Sequence, residues 1–234
     1  MPIKPTKFNQ LTVNAKSAEE AEVLIYGSVG GGFFSDGISA KEVQKELKNL
    51  PKTIKEITVR INSPGGDVFE GWSIYNLLKQ HPAKVTTKID GMAASIASVI
   101  ALAGDSVVMG EGAQMMIHSA WTFAAGNARD FENVIDRLLT IDDQLIKLYV
   151  AKTKKPVSEI QGLVHAETWF TADEAIEIGL ADEKEDYSFP IAASVLDKAT
   201  WINKLPKNLV TQDQVVREEV SQLQNKIKQY LARK

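Results

Sequence analysis

Between residues 20 and 105 the chain repeats one pattern three times: a short β-branched run, a turn of small residues, then a helical segment. EVLIYGSV (22–29) leads through the glycine-rich GGGFFSDG (30–37) to a helix from Ser39. There Ser39 and Glu42 have the spacing of a capping box, and Val43 and Leu47 mark the buried side. EITVRIN (56–62) is broken by SPGG (63–66), and a helix follows with Phe69, Ile74, Tyr75, Leu77 and Leu78 as its apolar side. AKVTTKID (83–90) precedes GMAASIASVIALAG, which reads as an apolar helix closed by Gly104. Strands that alternate with helices build right-handed βαβ units around a parallel sheet, so the expected class is α/β.

Two more short strands, SVVMG (106–110) and QMMIH (114–118), come next. A long helix is predicted over Phe131–Tyr149, with Phe131, Val134, Ile135, Leu138, Leu145, Ile146 and Tyr149 at mixed three- and four-residue spacing. Ser158 is the expected cap of a short helix, SEIQGLV. ETWF (167–170) leads into a helix with a second capping box, Thr171 and Glu174, ending near Gly179. The organisation that follows is an N-terminal segment (1–19), a main domain (20–186), a linker with Pro190 and Pro206 (187–210) and a C-terminal amphipathic helix (211–234). In that last helix Val216, Val220, Leu223, Ile227 and Tyr230 alternate at four and three residues, about two heptads and marginal as an isolated coiled coil.

Composition narrows the function classes. The absence of cysteine removes disulfides and thiolate metal sites and fits a reducing compartment. A net charge of −3 gives no reason to expect nucleic acid. The opening MPIKPTKFNQLTV has no apolar core of a secretory signal, and ASIASVIALAG is about half the length of a membrane span. A soluble, cytoplasmic protein is expected, with no metal and no cofactor.

Three features could carry chemistry. In SPGG, Pro64 holds Ser63 extended while Gly65 and Gly66 open angles closed to other residues. Such a turn at a helix start can present bare N–H groups to an oxyanion, although alone it reads as a tight strand-to-helix connection. Ala93-Ala94-Ser95-Ile96-Ala97 has the small-x-Ser-x-small shape of a nucleophile elbow, with alanines in place of glycines. Alone, Ser95 reads as a small core residue. A serine nucleophile needs a base that titrates near neutrality. Of the three histidines, His81 precedes Pro82 like a surface cap, His165 lies in a polar loop, and His118 ends an apolar strand where side chains commonly reach a site. Glu167 or Asp173 could orient its ring.

INSPGGDVFEGWSIYNLL, GMAASIAS, MMIHSAW and ETWFTADEAIEIGLAD occur in the order found in ClpP-like serine peptidases, over roughly residues 20–185. The stretch from Tyr26 to Gly37, the GDVFEGWSIYN helix and ETWFTADEA most resemble the phage-encoded branch, the head maturation (prohead) proteases. The resemblance implies a ClpP/crotonase-like fold, βαβ units with a projecting long helix. It implies a serine endopeptidase with Ser95 as nucleophile, His118 as general base and Glu167 as triad acid, where housekeeping enzymes carry Asp. The backbone N–H groups of Gly66 and Ile96 would form the oxyanion hole, and Gly65, Gly66 and Ser119 would bind substrate. It further implies protein or peptide substrates and homo-oligomeric rings of six or seven subunits that can stack in pairs. For a phage head protease the substrates would be capsid or scaffold proteins, in the host cytoplasm. The alternatives are a housekeeping degradation subunit with an ATPase partner and a non-catalytic assembly ring. An acyl-CoA hydratase on the same fold would leave the serine and histidine unused, and a Ser–Lys peptidase based on Lys88 would leave His118 without a role.

Overall fold

A computed structural model describes residues 9–31 and 37–185. The expected linker (187–210) and C-terminal helix (211–234) lie outside the described residues. The first strand is one that periodicity did not reveal. β1 (Gln10–Ala15) runs antiparallel to β2 (Glu20–Tyr26), in register from Gln10↔Tyr26 to Ala15↔Ala21. None of its side chains is fully buried, so it carries no alternating signal. The sheet thus reaches back into the stretch read from sequence as an N-terminal segment.

From β2 onward the expected alternation appears. In chain order come α1 (Ala40–Asn49), β3 (Glu56–Ser63), α2 (Val68–Lys79), β4 (Lys84–Ala94), α3 (Ile96–Ala101), β5 (Ser106–Gly110) and β6 (Gln114–Ile117). α4 (Ala128–Thr153), α5 (Val157–His165), β7 (Thr168–Thr171), α6 (Ala172–Ile178) and β8 (Glu183–Glu185) complete the described chain. β2, β3, β4, β5 and β8 are successive parallel neighbours, which is the α/β architecture expected. Both predicted capping boxes are formed, Ser39 with Glu42 and Thr171 with Glu174.

Side chains alternate across the sheet. Val23, Ile25, Ile57, Val59, Ile61, Val85 and Ile89 enter the core, together with Val43 and Leu47 of α1, Ile74 and Leu78 of α2 and all of α3. On the opposite face Arg60 donates from Nε and Nη2 to Asp90 (2.9 and 2.6 Å), and the Tyr26 hydroxyl donates to the same carboxylate at 2.5 Å. The bidentate pair joins β3 to β4 and the tyrosine adds β2, so the three residues tie adjacent parallel strands together on the partly wetted side.

Four sequence expectations need correction. Residues 91–94 are strand rather than helix: β4 pairs with β5 over Thr86–Ile89 and then with β6 over Met92–Ala94. A short run of small apolar residues fits a buried strand and a buried helix equally by periodicity. The α5 cap is Pro156, not Ser158, because proline's fixed φ suits a helix start. Phe69 is 59% exposed rather than part of the buried side of α2. α4 is longer than predicted, 26 residues or about 39 Å at 1.5 Å per residue. Its buried residues begin only at Ile141, so its first half projects beyond the core.

Candidate active site

Strand register brings the site together. β4 lies parallel to β6 with Ala94 opposite Met116, and β6 lies antiparallel to β7 with Ile117 opposite Thr168. Ser95, His118 and Glu167 are the residues that directly follow or precede these paired ends. All three therefore converge at one end of the sheet, where α3 begins.

Ser95 adopts φ 55° and ψ −130°, a conformation that costs a side-chain-bearing residue about 1–3 kcal/mol. Its surroundings hold it there. Its N–H donates to the Met116 carbonyl at 2.9 Å, and its own carbonyl accepts from the Ser98 N–H (3.0 Å) and the Ser98 hydroxyl (2.6 Å). The strained turn lifts the Ser95 hydroxyl to within 2.8 Å of His118 Nε2. For the hydroxyl to donate, the ring's proton must sit on Nδ1, which faces Glu167.

Glu167 Oε2 lies 3.7 Å from His118 Nδ1, beyond hydrogen-bond length. Its side chain is 59% exposed against 15% for His118, and its backbone is also left-handed, with φ 50°. The carboxylate is thus adjacent to the ring, and water screens it. Asp173, the other carboxylate considered, accepts from Lys184 Nζ at 2.7 Å. His81 is a turn residue whose Nδ1 accepts from the Ala83 N–H, and burial pushes its pKa down. His165 lies exposed in the last turn of α5. Lys88 pairs with Glu185 at 2.9 Å instead of approaching Ser95.

The SPGG turn forms the facing wall. Val29 bridges Gly66: its N–H donates to the Gly65 carbonyl (2.8 Å) and its carbonyl accepts from the Asp67 N–H (2.9 Å). In a parallel bridge the middle residue's own N–H turns the other way. Gly66 therefore directs its N–H away from Val29, and it lines the same cleft as Ser95 and His118. A Cβ on Gly66 would lie 2.1 Å from the Val29 oxygen. Gly65, at φ 90°, backs directly onto the elbow; a Cβ there would lie 2.8 Å from Ser95 Cβ and 3.1 Å from the Ile96 nitrogen. Ile96 is the first residue of α3, so its N–H has no partner within the helix. The Ile96 N–H thus adjoins the serine, and the Gly66 turn walls the same cleft.

The cleft measures about 940 Å3. Beyond the glycine turn its walls are largely apolar: Met116, Trp121, Phe123, Val134, Leu138 and Ile141. Trp121 and Phe123 pack edge to face at 5.3 Å, largely exposed. Gly65 and Gly66 line this cleft, and Ser119 is not among its lining residues. The sequence places Phe69 on the apolar side of its helix with no site role, and WTF (121–123) gave a signal in its aromatics two apart shortly after His118; both line the cleft. Among the described residues no helix is long and apolar enough to cross a membrane.

The chain matches the Clp protease family over residues 16–185. It is 33% identical over 184 residues to the ATP-dependent Clp protease proteolytic subunit 1 of Protochlamydia amoebophila, covering 75% of this chain and 89% of that protein. It is 32% identical over 155 residues to the ATP-dependent Clp protease proteolytic subunit of Porphyromonas gingivalis, covering 63% and 68%. Against the corresponding subunit 1 of Chlamydia pneumoniae it is 31% identical over 159 residues, covering 64% and 83%. With a match that runs from before β2 through β8, the chain belongs to the Clp protease family and is a serine-type peptidase.

Proposed function

We propose that the chain is a serine endopeptidase in which Ser95 is the nucleophile, His118 the general base and Glu167 an orienting carboxylate. The contact that carries this reading is the 2.8 Å pair between Ser95 Oγ and His118 Nε2, made by a serine held in a strained turn. His118 Nε2 takes the hydroxyl proton as Ser95 Oγ bonds to the peptide carbonyl carbon. The oxyanion is received by the N–H groups of Gly66 and Ile96, beside the N-terminal turn of α3. His118 returns the proton to the amine as the C–N bond breaks, and water hydrolyses the acyl-enzyme by the same route in reverse. Gly65 and Gly66 would hold the substrate backbone, with Ser119 at the margin.

The reading extends to a homo-oligomeric ring, for which the exposed Phe131, Ile135 and Leu139 along the projecting half of α4 are suited. The domain would run over 20–186 with β1 added at its edge. The relatives' names favour an ATP-dependent degradation subunit. A head maturation protease that cuts capsid or scaffold proteins is the second reading, favoured by the GDVFEGWSIYN and ETWFTADEA motifs.

The test of the chemistry is fluorophosphonate labelling. Labelling of Ser95 that is lost in His118→Ala supports it, and undiminished proteolysis by Ser95→Ala overturns it. The setting is separated by adding an ATP-dependent unfoldase: hydrolysis of a folded substrate only with ATP marks degradation, and ATP-independent cutting of capsid protein marks maturation.

A further inference from the structure

Behind the elbow lies a hydrogen-bond chain that the peptidase reading does not use. Ser98 is fully buried in α3, and its hydroxyl lies 2.6 Å from the Ser95 carbonyl and 2.8 Å from the Tyr149 hydroxyl. Tyr149 belongs to α4 and is itself buried. A serine hydroxyl has one proton. The Ser95 carbonyl can only accept, so the Ser98 proton goes to it, and Tyr149 must donate to Ser98. The order is fixed as Tyr149 O–H to Ser98 O–H to Ser95 C=O. Burial pushes the Tyr149 pKa up to about 12, so the phenol keeps the proton this order requires.

The Ser95 carbonyl and the Ile96 N–H belong to one planar peptide unit and point to opposite sides of it. Whatever fixes the carbonyl fixes the direction of the N–H. We propose that Ser98 and Tyr149 are positioning residues which, by holding the Ser95 carbonyl, aim the Ile96 N–H at the developing oxyanion and couple α4 to the nucleophile. The proposal rests on the assignment of Ser95 as nucleophile and Ile96 as oxyanion donor. Because α4 also supplies Val134, Leu138 and Ile141 to the cleft, one helix both contacts substrate and braces the turn that attacks it.

The experiment measures kcat and KM of the full-length protein on a fluorogenic peptide for Tyr149→Phe, Ser98→Ala and the double variant, with Ser95→Ala alongside. Loss of a whole oxyanion donor lowers kcat by about 10²–10³; loss of its brace should lower kcat roughly tenfold in Ser98→Ala and about threefold in Tyr149→Phe. KM should stay within about twofold, because the interaction strengthens only in the transition state. The double variant should match Ser98→Ala, since Tyr149 acts only through that hydroxyl. Unchanged kcat in Ser98→Ala, or losses that multiply in the double variant, overturns the proposal. Should Tyr149→Phe fail to fold, kcat and KM of Ser98→Ala decide it. Activity retained by Ser95→Ala would instead overturn the assignment of Ser95 as nucleophile, so the two failures are told apart.

Discussion

Ile117 and Thr168 face each other as the end pair of the β6–β7 ladder, and the residues just beyond them, His118 after Ile117 and Glu167 before Thr168, are members of the site. The backbone ladder therefore fixes their proximity, and the side chains stand 3.7 Å apart where the chain enters β7 through Glu167 at φ 50°. A buried triad aspartate that fixes the histidine tautomer is worth about 10⁴ in kcat. An exposed carboxylate beyond hydrogen-bond length contributes far less.

The first prediction follows from that gap. Exposed ion pairs are worth about 0–1 kcal/mol, so Glu167→Gln should lower kcat/KM no more than about fivefold. His118→Ala should abolish turnover. Peptide hydrolysis measured side by side checks this, and a loss of a thousandfold in Glu167→Gln would mean the carboxylate closes on the ring when substrate binds.

How much of this was legible beforehand depends on the range of the interaction. The capping boxes at Ser39 and Thr171 depend on residues three apart, and both were readable from spacing. The parallel sheet followed from alternation of strand and helix. β1 was not readable, because an edge strand with no buried side chain has no period to detect. Nor was the strand character of Gly91–Ala94, which is decided by pairing with β3 and β6 rather than by local preference. Ser95 and His118 became candidates through residue type and a family resemblance. The Ser98–Tyr149 contact joins residues 51 apart on two helices and left no local trace.

The second prediction concerns the glycine behind the nucleophile. Gly65 sits at φ 90°, and a Cβ there would lie 2.7 Å from the Ala94 oxygen and 2.8 Å from Ser95 Cβ. Gly65→Ala should destabilise the fold by about 1–3 kcal/mol through backbone strain alone. It should also displace the elbow, so activity is lost well before the fold is. Circular dichroism of a folded variant with kcat reduced more than about a hundredfold would bear this out, given what one misplaced oxyanion donor costs. Near-normal kcat would place the oxyanion site elsewhere.

The third prediction separates stability from catalysis. Asp90 accepts from Arg60 twice and from Tyr26 once, on the face of the sheet away from the helices. Asp90→Asn removes the bidentate charge partner and leaves the half-buried guanidinium with a neutral amide and the more distant Glu22 carboxylate, 4.0 Å away. Charge-assisted hydrogen bonds contribute about 1.5–3 kcal/mol; partial exposure of Arg60 reduces that here to about 1–2 kcal/mol. The urea midpoint should fall accordingly while kcat stays unchanged. A kcat that falls with stability retained would show that this face communicates with Ser95.

The last prediction uses pH. Burial raises the Tyr149 pKa from 10.0 to about 12, so the folded state binds this proton more tightly than the unfolded chain does. The resulting stabilisation is fully present below pH 10 and is lost as pH rises through about 12. A rise of that size corresponds to about 2–3 kcal/mol. Tyr26 and Tyr75 are raised as well, so the wild-type curve sums several phenols and cannot be read alone. The difference between wild type and Tyr149→Phe isolates the one buried against Ser98, because the other titrations cancel. Denaturant midpoints should differ by a constant amount up to pH 10 and converge, or cross, between pH 10 and 12. Parallel curves throughout that interval would mean that the hydroxyl reaches water and that its proton is not held by the fold.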